Sequence, residues 1–385
     1  MNEPIHIKTT AGRVFGLDII RATAILVVLS AHTFQFILPL KYSMVFGASA
    51  SLLGVELFFV LSGFLIGSIL IRAFSAEHVS LQKQIRSFWI RRWFRTLPNY
   101  FLVLPLYFIA DWMMHDRLLL SNPQYWLYFV FLQNSFTVHP VFFGPAWSLS
   151  IEEWFYLLFP LLLFILRYTR IMNSKASILT GCLVFIGGCL SLRITLALMR
   201  PGIPWDECFR KLMPMRLDAI AVGVLLAYAY YYYGTTLQKF RSMLLFIGVL
   251  STGALLFYYY RGLLAAHQEA GSFFLCSFFF TILSFSLAAI IAFFAYLRAA
   301  PNSFTGELIT QISLISYSLY LIHWLVLLLV IHYLSGYIGY VKFILVWLTS
   351  VSLSMLLYRF FEKPVMDLRD RFSPKQENMG HNTTA

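Results

Sequence analysis

Long apolar stretches alternate with short basic segments along most of the 385-residue chain. A membrane-spanning helix needs about 20 predominantly apolar residues. Ten stretches meet that requirement: 15–38, 51–74, 97–114, 147–167, 176–199, 216–234, 242–260, 272–297, 312–333 and 341–361. An eleventh, 124–137, is short and ends in Gln133, Asn134 and Ser135, so it is expected to be re-entrant or to lie at the outer surface. The run from Phe15 to Leu38 is longer than a signal-peptide core and no small-residue cleavage site follows it, which makes it an uncleaved first span. The pattern predicts an all-α fold: a polytopic membrane helical bundle of about ten transmembrane helices with both termini cytoplasmic. A cytoplasmic segment at 1–14, a membrane domain at 15–366 and a polar, disordered cytoplasmic tail at 367–385 complete the expected organisation.

Composition narrows the class. Hydrophobic residues make up 59% of the chain and charged ones 12%, against about 25% charged in an ordinary soluble domain. A soluble globular protein is thereby excluded. The 29 Lys and Arg against 17 Asp and Glu give a net charge of +12. In a soluble chain that excess would point to nucleic acid; here it follows the positive-inside rule, and no nucleic-acid partner is expected. With ten spans, Lys8, Arg13, Arg72, Lys83, Arg86, Arg91, Arg92, Arg95, Arg167, Arg170, Lys175, Lys239, Arg241, Arg298 and the basic residues from Arg359 to Lys375 fall on the inner side. Cys182, Cys189, Cys208 and Cys276 lack metal-like spacing, and no metal site is expected. No internal repeat is visible, so the inverted symmetry of many transporters is missing.

Ionisable residues inside spans are costly and mark function. The first span carries Asp18, Arg21 and His32. Arg21 and His32 are eleven residues apart, close to three helical turns, so they share one face at roughly 16 Å separation along the axis. With the N-terminus inside, the guanidinium lies in the inner half and the imidazole in the outer half. This arrangement suits a substrate threaded with its anionic end inward and its reactive end outward. The alternatives are an Asp18–Arg21 structural pair and a helix–helix hydrogen bond from His32. Glu56 sits near the outer end of the second span as a ligand for a hydroxyl or for a buried cation, while Gly63 and Gly67 form a close-packing GxxxG face. Arg91, Arg92 and Arg95 suit phosphate through their planar forks or anchor the chain against anionic lipid. Glu152 and Glu153 are about 100° apart on a helix, so at most one points into a given cavity. Trp147 and Tyr156 read either as site residues or as an interfacial belt. Arg216 and Asp218 sit at an outer helix end, and Ser316, Tyr317 and His323 lie in the ninth span.

These residues sit in segments that resemble the acyltransferase 3 family, integral-membrane O-acyltransferases typified by bacterial polysaccharide O-acetyltransferases. The resemblance rests on GLDIIRATAILVVLSAH with Arg21 and His32, GVELFFVLSGFLI, RRWFR followed by Pro98 and Tyr100, WSLSIEEWFYLLFP, RLDAIAVG, ISYSLYLIH and FEKPV, in family order from Gly16 to Val365. Trp154 stands where the family usually has Gln, and Trp324 follows His323 where a nearby Pro is common. With its tenth span close to residue 385, the chain is expected to be a membrane core without the hydrolase-like domain some members append.

The resemblance implies transfer of an acyl group, most often acetyl, from cytoplasmic acyl-CoA to a hydroxyl of an extracytoplasmic glycan or lipid-linked glycan, in the inner (plasma) membrane. His32 would be the general base, or would be acylated first, and Glu152 would orient or charge it. Arg21, Arg91, Arg92 and Arg95 would hold the donor, acetyl-CoA, which is a co-substrate and not a permanently bound cofactor. Asp18, Glu56, Trp147, Ser148, Ser150, Arg216, Asp218, Tyr317 and His323 are expected to line the substrate path. No backbone oxyanion hole is identifiable, and a buried Arg or Trp N–H would serve. The competing expectations are a transporter or flippase for a lipid-linked sugar and a non-catalytic envelope scaffold or channel.

Overall fold

The computed structural model describes residues 13–75, 80–115, 119–168, 172–265, 271–298 and 303–372. The expected segment before residue 13 and tail from residue 373 lie outside the described residues, as do Lys8, Arg117, Arg170 and Lys375. Among the described residues the regular elements are all helical: α1 Phe15–Thr33, α2 Leu40–Ser75, α3 Leu81–His115, α4 Ala146–Tyr168, α5 Ser174–Met199, α6 Leu217–Tyr232, α7 Gly234–Ala265, α8 Phe273–Ser277, α9 Phe279–Phe294, α10 Phe304–Tyr333, α11 Gly339–Leu357 and α12 Lys363–Phe372. Eight segments, built on α1, α2, α4, α5, α6, α7, α10 and α11 with α12, are long and apolar enough to cross a membrane. The protein is a polytopic helical membrane protein.

The other two predicted spans take different forms. The basic segment before 97–114 is no loop. It belongs to α3, which runs unbroken through Pro98 and Pro105, because arginine is a good helix former. Neighbouring helices make Pro tolerable inside membrane helices. The predicted span 272–297 divides into α8 and α9 at Phe278. The break frees the carbonyl of Ser277, which accepts a hydrogen bond from Arg193 Nε at 3.0 Å. That bond satisfies a backbone group that lipid could not.

Helix α2 packs against α1 and α6, α1 also packs against α10, and α7 pairs with α9. The α2–α6 crossing is close because Gly63 and Gly223 face each other. A Cβ on Gly63 would collide with the carbonyl of Ile220, and one on Gly223 with that of Val60. The expected GxxxG packing face is therefore what the glycines provide. By contrast α5, α7 and α11 turn most of their surface outward, with Leu183, Val184, Phe246, Leu250, Phe257 and Leu348 exposed. Such faces would aggregate in water and are at home in hydrocarbon.

The segment 124–137 does not span. Pro123–Val130 is a short 3-10 helix, about 16 Å long at the 3-10 rise of 2.0 Å per residue. It ends at Phe131 in the left-handed region (φ 57°). The chain then folds back under α4. Gln133 Nε2 donates to Ala146 O at 2.9 Å and Asn134 Nδ2 donates to Trp147 O at 3.0 Å. Ser150 Oγ and Trp154 Nε1 both donate to Phe131 O, at 2.5 and 2.9 Å.

Candidate active site

His32, in the last turn of α1, meets His323 on α10. His32 Nδ1 lies 3.2 Å from His323 Nε2, and the rings stack at 5.3 Å. The other nitrogen of His323, Nδ1, lies 3.0 Å from the carbonyl of Leu319. A carbonyl can only accept, so His323 Nδ1 carries the proton and Nε2 carries a lone pair. His32 Nδ1–H then donates to that lone pair, which leaves His32 Nε2 with its own lone pair. The expected helix–helix hydrogen bond from His32 is therefore present. The orienting partner is His323 and not Glu152.

Across Tyr320 from the pair lies a cavity, which neither histidine lines. Arg21, Arg92 and Arg95 line it, together with Ser62, Thr96, Glu152, Tyr156, Ser316 and Tyr317; Ser148 and Tyr320 also contribute, and Val55, Phe58, Phe59 and Leu149 give it an apolar wall. The ring of Tyr320 is 5.8 Å from that of His323, and its hydroxyl is 2.5 Å from Ser148 Oγ. The cavity therefore holds a guanidinium cluster and is closed by Tyr320, a neighbour of His323. Glu152 accepts from Tyr156 Oη at 3.0 Å, and Tyr156 Oη is 2.6 Å from Ser62 Oγ. The Arg92 guanidinium lies over the Tyr156 ring at 5.3 Å. Tyr156 is thus a cavity residue rather than an interfacial one. Tyr317 Oη donates to Thr96 O at 2.8 Å, tying α10 to α3. Glu153, about 100° round the helix from Glu152, is buried but does not line the cavity.

Other expected substrate ligands are occupied elsewhere. Asp18 is buried and accepts from Arg13 Nε at 3.0 Å and Ser313 Oγ at 2.7 Å, with Arg21 Nη1 at 3.5 Å. It holds Arg21 in place instead of facing the cavity. Glu56 pairs with Arg216, whose guanidinium packs 3.7 Å from the Phe280 ring centroid. Asp218 pairs with Arg193 at 2.8 Å and accepts from Thr281 Oγ1 at 2.9 Å. These four charges are fully or almost fully buried. Charges removed from water must find opposite partners, so Glu56, Arg216 and Asp218 bind one another's helices and not a substrate. Ser150 anchors the 3-10 segment, and Arg91 does not line the cavity. Trp147 lies under the guanidinium of Arg210 at 5.2 Å.

Sequence reasoning missed Arg193, although an arginine inside LSLRITL was itself the signal. It also missed the π turn Asp206–Arg210 between α5 and α6. There Arg210 Nη1 and Lys211 Nζ hold Asp206 at 2.6 and 2.5 Å. Burial alone would raise the Asp206 carboxyl, but the two cations overcome it and hold it down at about 2. His139, in the turn before α4, donates from Nε2 to Phe143 O at 3.1 Å, and burial pushes it down to about 4.

Residues 14–359 match the sequence profile of the acyltransferase domain, Acyl_transf_3. The chain belongs to this acyltransferase 3 family. It is 26% identical over 373 residues to the O-acetyltransferase OatA of Staphylococcus aureus, covering 91% of this chain and 57% of that protein. It is also 34% identical over 175 residues to YrhL of Bacillus subtilis, named as a candidate peptidoglycan O-acetyltransferase, over 42% of this chain and 25% of that one. The chain thus spans little more than half of OatA and a quarter of YrhL. No solved structure matches it.

Proposed function

We propose that this protein is a membrane O-acyltransferase that moves an acetyl group from cytoplasmic acetyl-CoA to a hydroxyl of an extracytoplasmic glycan. The observation that supports the reading is the cavity that holds Arg21, Arg92 and Arg95 and is walled by Tyr320, whose ring neighbours that of His323. Phosphates suit the guanidinium forks of Arg21, Arg92 and Arg95. A pantetheine arm is long enough to cover the roughly 16 Å of helix between Arg21 and His32. His32 Nε2 takes the proton from the acceptor hydroxyl as that oxygen attacks the thioester carbon. The leaving thiolate then recovers the proton from the imidazolium.

The naming of OatA and YrhL as O-acetyltransferases supports acetyl as the group and a cell-envelope glycan as the acceptor class. The layout of basic residues supports cytoplasmic termini in the inner (plasma) membrane. The start of α1, with Arg13, is hydrogen-bonded to the end of α9 at Leu297 and Arg298. Ser174, at the start of α5 next to Lys175, donates to Phe74 O at the end of α2 near Arg72. These two contacts bring basic helix ends together in pairs, α1 with α9 and α2 with α5, which supports the positive-inside reading.

Purified protein in liposomes, given radiolabelled acetyl-CoA and a soluble glycan acceptor, should yield labelled glycan. The His32→Ala variant, folded and inserted, should yield none. Transfer at the wild-type rate by His32→Ala would overturn the assignment of the base. Movement of a lipid-linked sugar without any acyl transfer would favour the flippase alternative.

A further inference from the structure

Trp324 follows His323 on α10, and its indole stands roughly perpendicular to the imidazole of His32, with centroids 4.9 Å apart and an interplanar angle of 77°. Its Nε1–H is buried and has no hydrogen-bond partner among the described residues. Buried indoles usually donate that proton, and leaving a buried donor unpaired costs free energy that calls for an explanation. The ring is held by close packing. The chain passes over it at Gly144, where a Cβ would come within 2.6 Å of Cε2 and 2.9 Å of Nε1. Within the cluster of three rings, His323 Nδ1–H is engaged by Leu319 O and His32 Nδ1–H by His323. The indole N–H is the ring donor left over, on the ring that meets the base edge to face.

On the acyltransferase reading above, we infer that Trp324 is a catalytic residue whose Nε1–H donates to the oxyanion of the tetrahedral intermediate. The acceptor oxygen forms a bond to the thioester carbon while its proton passes to His32 Nε2. The carbonyl π pair moves onto oxygen, and this is the charge the indole meets. When the C=O bond re-forms, the C–S bond breaks, and the thiolate takes the proton from His32. Attacking oxygen and oxyanion hang on the same carbon, two bonds apart, so a base and a donor carried on neighbouring rings suit one tetrahedral centre. A donor aimed at charge that exists only in the transition state raises kcat without tightening substrate binding.

Two replacements of Trp324 separate the N–H from the ring. Trp324→Phe removes both the donor and part of the bulk; the benzothiophene isostere, 3-benzothienylalanine, keeps the shape and exchanges N–H for sulfur. In the liposome assay each should lower kcat about 10²-fold, leaving KM for acetyl-CoA and the pH dependence of kcat as in the wild type. Wild-type kcat with the isostere would overturn the inference, because the ring would then act by packing alone. If Trp324→Phe does not accumulate, the isostere alone decides. His32→Ala run in parallel tells the two ideas apart. Inactive His32→Ala beside a fully active isostere removes only the role of Trp324, whereas active His32→Ala removes the acyltransferase base as well.

Discussion

A histidine ring can carry its proton on either nitrogen, and the choice depends on what the other nitrogen touches. In His323 the carbonyl of Leu319, one turn back on the same helix, fixes the choice at Nδ1. The consequence passes through the 3.2 Å contact to His32, whose Nε2 is left with the lone pair. On the proposed function His323 acts through His32 as a positioning residue. His323→Ala leaves His32 Nδ1–H without an acceptor and the ring free to turn. It should reduce kcat about 10²-fold with little change in KM. His323→Gln, which offers a carbonyl oxygen, should recover part of the loss, as single-turnover transfer rates would show. Equal, wild-type rates in both variants would refute the positioning role.

Helices in this protein meet where backbone rather than side chain allows it. Lipid tails are as apolar as leucine, so close van der Waals contact must drive association. The facing glycines of α2 and α6 supply it, and the crossing carries Glu56 on α2 and Asp218 on α6 into the buried ion-pair network. Gly63→Val should force the two helices apart at a cost of about 1–3 kcal/mol. A lowered melting temperature in detergent would report it, and an unchanged one would mean that the crossing relaxes freely. The broken pair α8–α9 shows the complementary device. A helix interrupted inside the bundle survives because Arg193 receives its freed carbonyl. The same guanidinium neutralises Asp218, so one side chain stabilises both a backbone break and a charge.

Over the whole molecule, polar side chains gather in the interior around the arginine-lined cavity, and apolar surface is left for lipid. The loops that cap the histidine end carry their own titration. His139 takes up a proton near 6.5 when unfolded but only near 4 when folded. Between those values the unfolded chain binds more protons, so stability falls as the pH is lowered from 6.5 towards 4. His139→Gln should flatten that slope in thermal unfolding measured across the interval, and an identical slope would exclude His139 as its source. Asp206 adds stability above its ordinary 3.8 that is lost as the pH falls through about 2, below that window.

The sequence by itself determined the membrane class, most of the spans and the shared face of Arg21 and His32. Each depends on local pattern: apolar run length, basic flanks and a period of 3.6 residues. It also identified Arg92, Arg95, Glu152 and Tyr317, which the fold brings to one cavity. Partner choice was not legible. From sequence, Asp18 and Glu56 read equally as substrate ligands or as partners of buried cations, and Arg216 and Asp218 as substrate ligands, because an isolated charge in an apolar run does not reveal its counter-charge. Only the packing of α2, α5, α6 and α9 pairs Glu56 with Arg216 and Arg193 with Asp218. The contact between His32 and His323 spans 291 positions of chain. Tertiary structure decided it, because the ring nitrogen that keeps its lone pair depends on a neighbour no local pattern can supply.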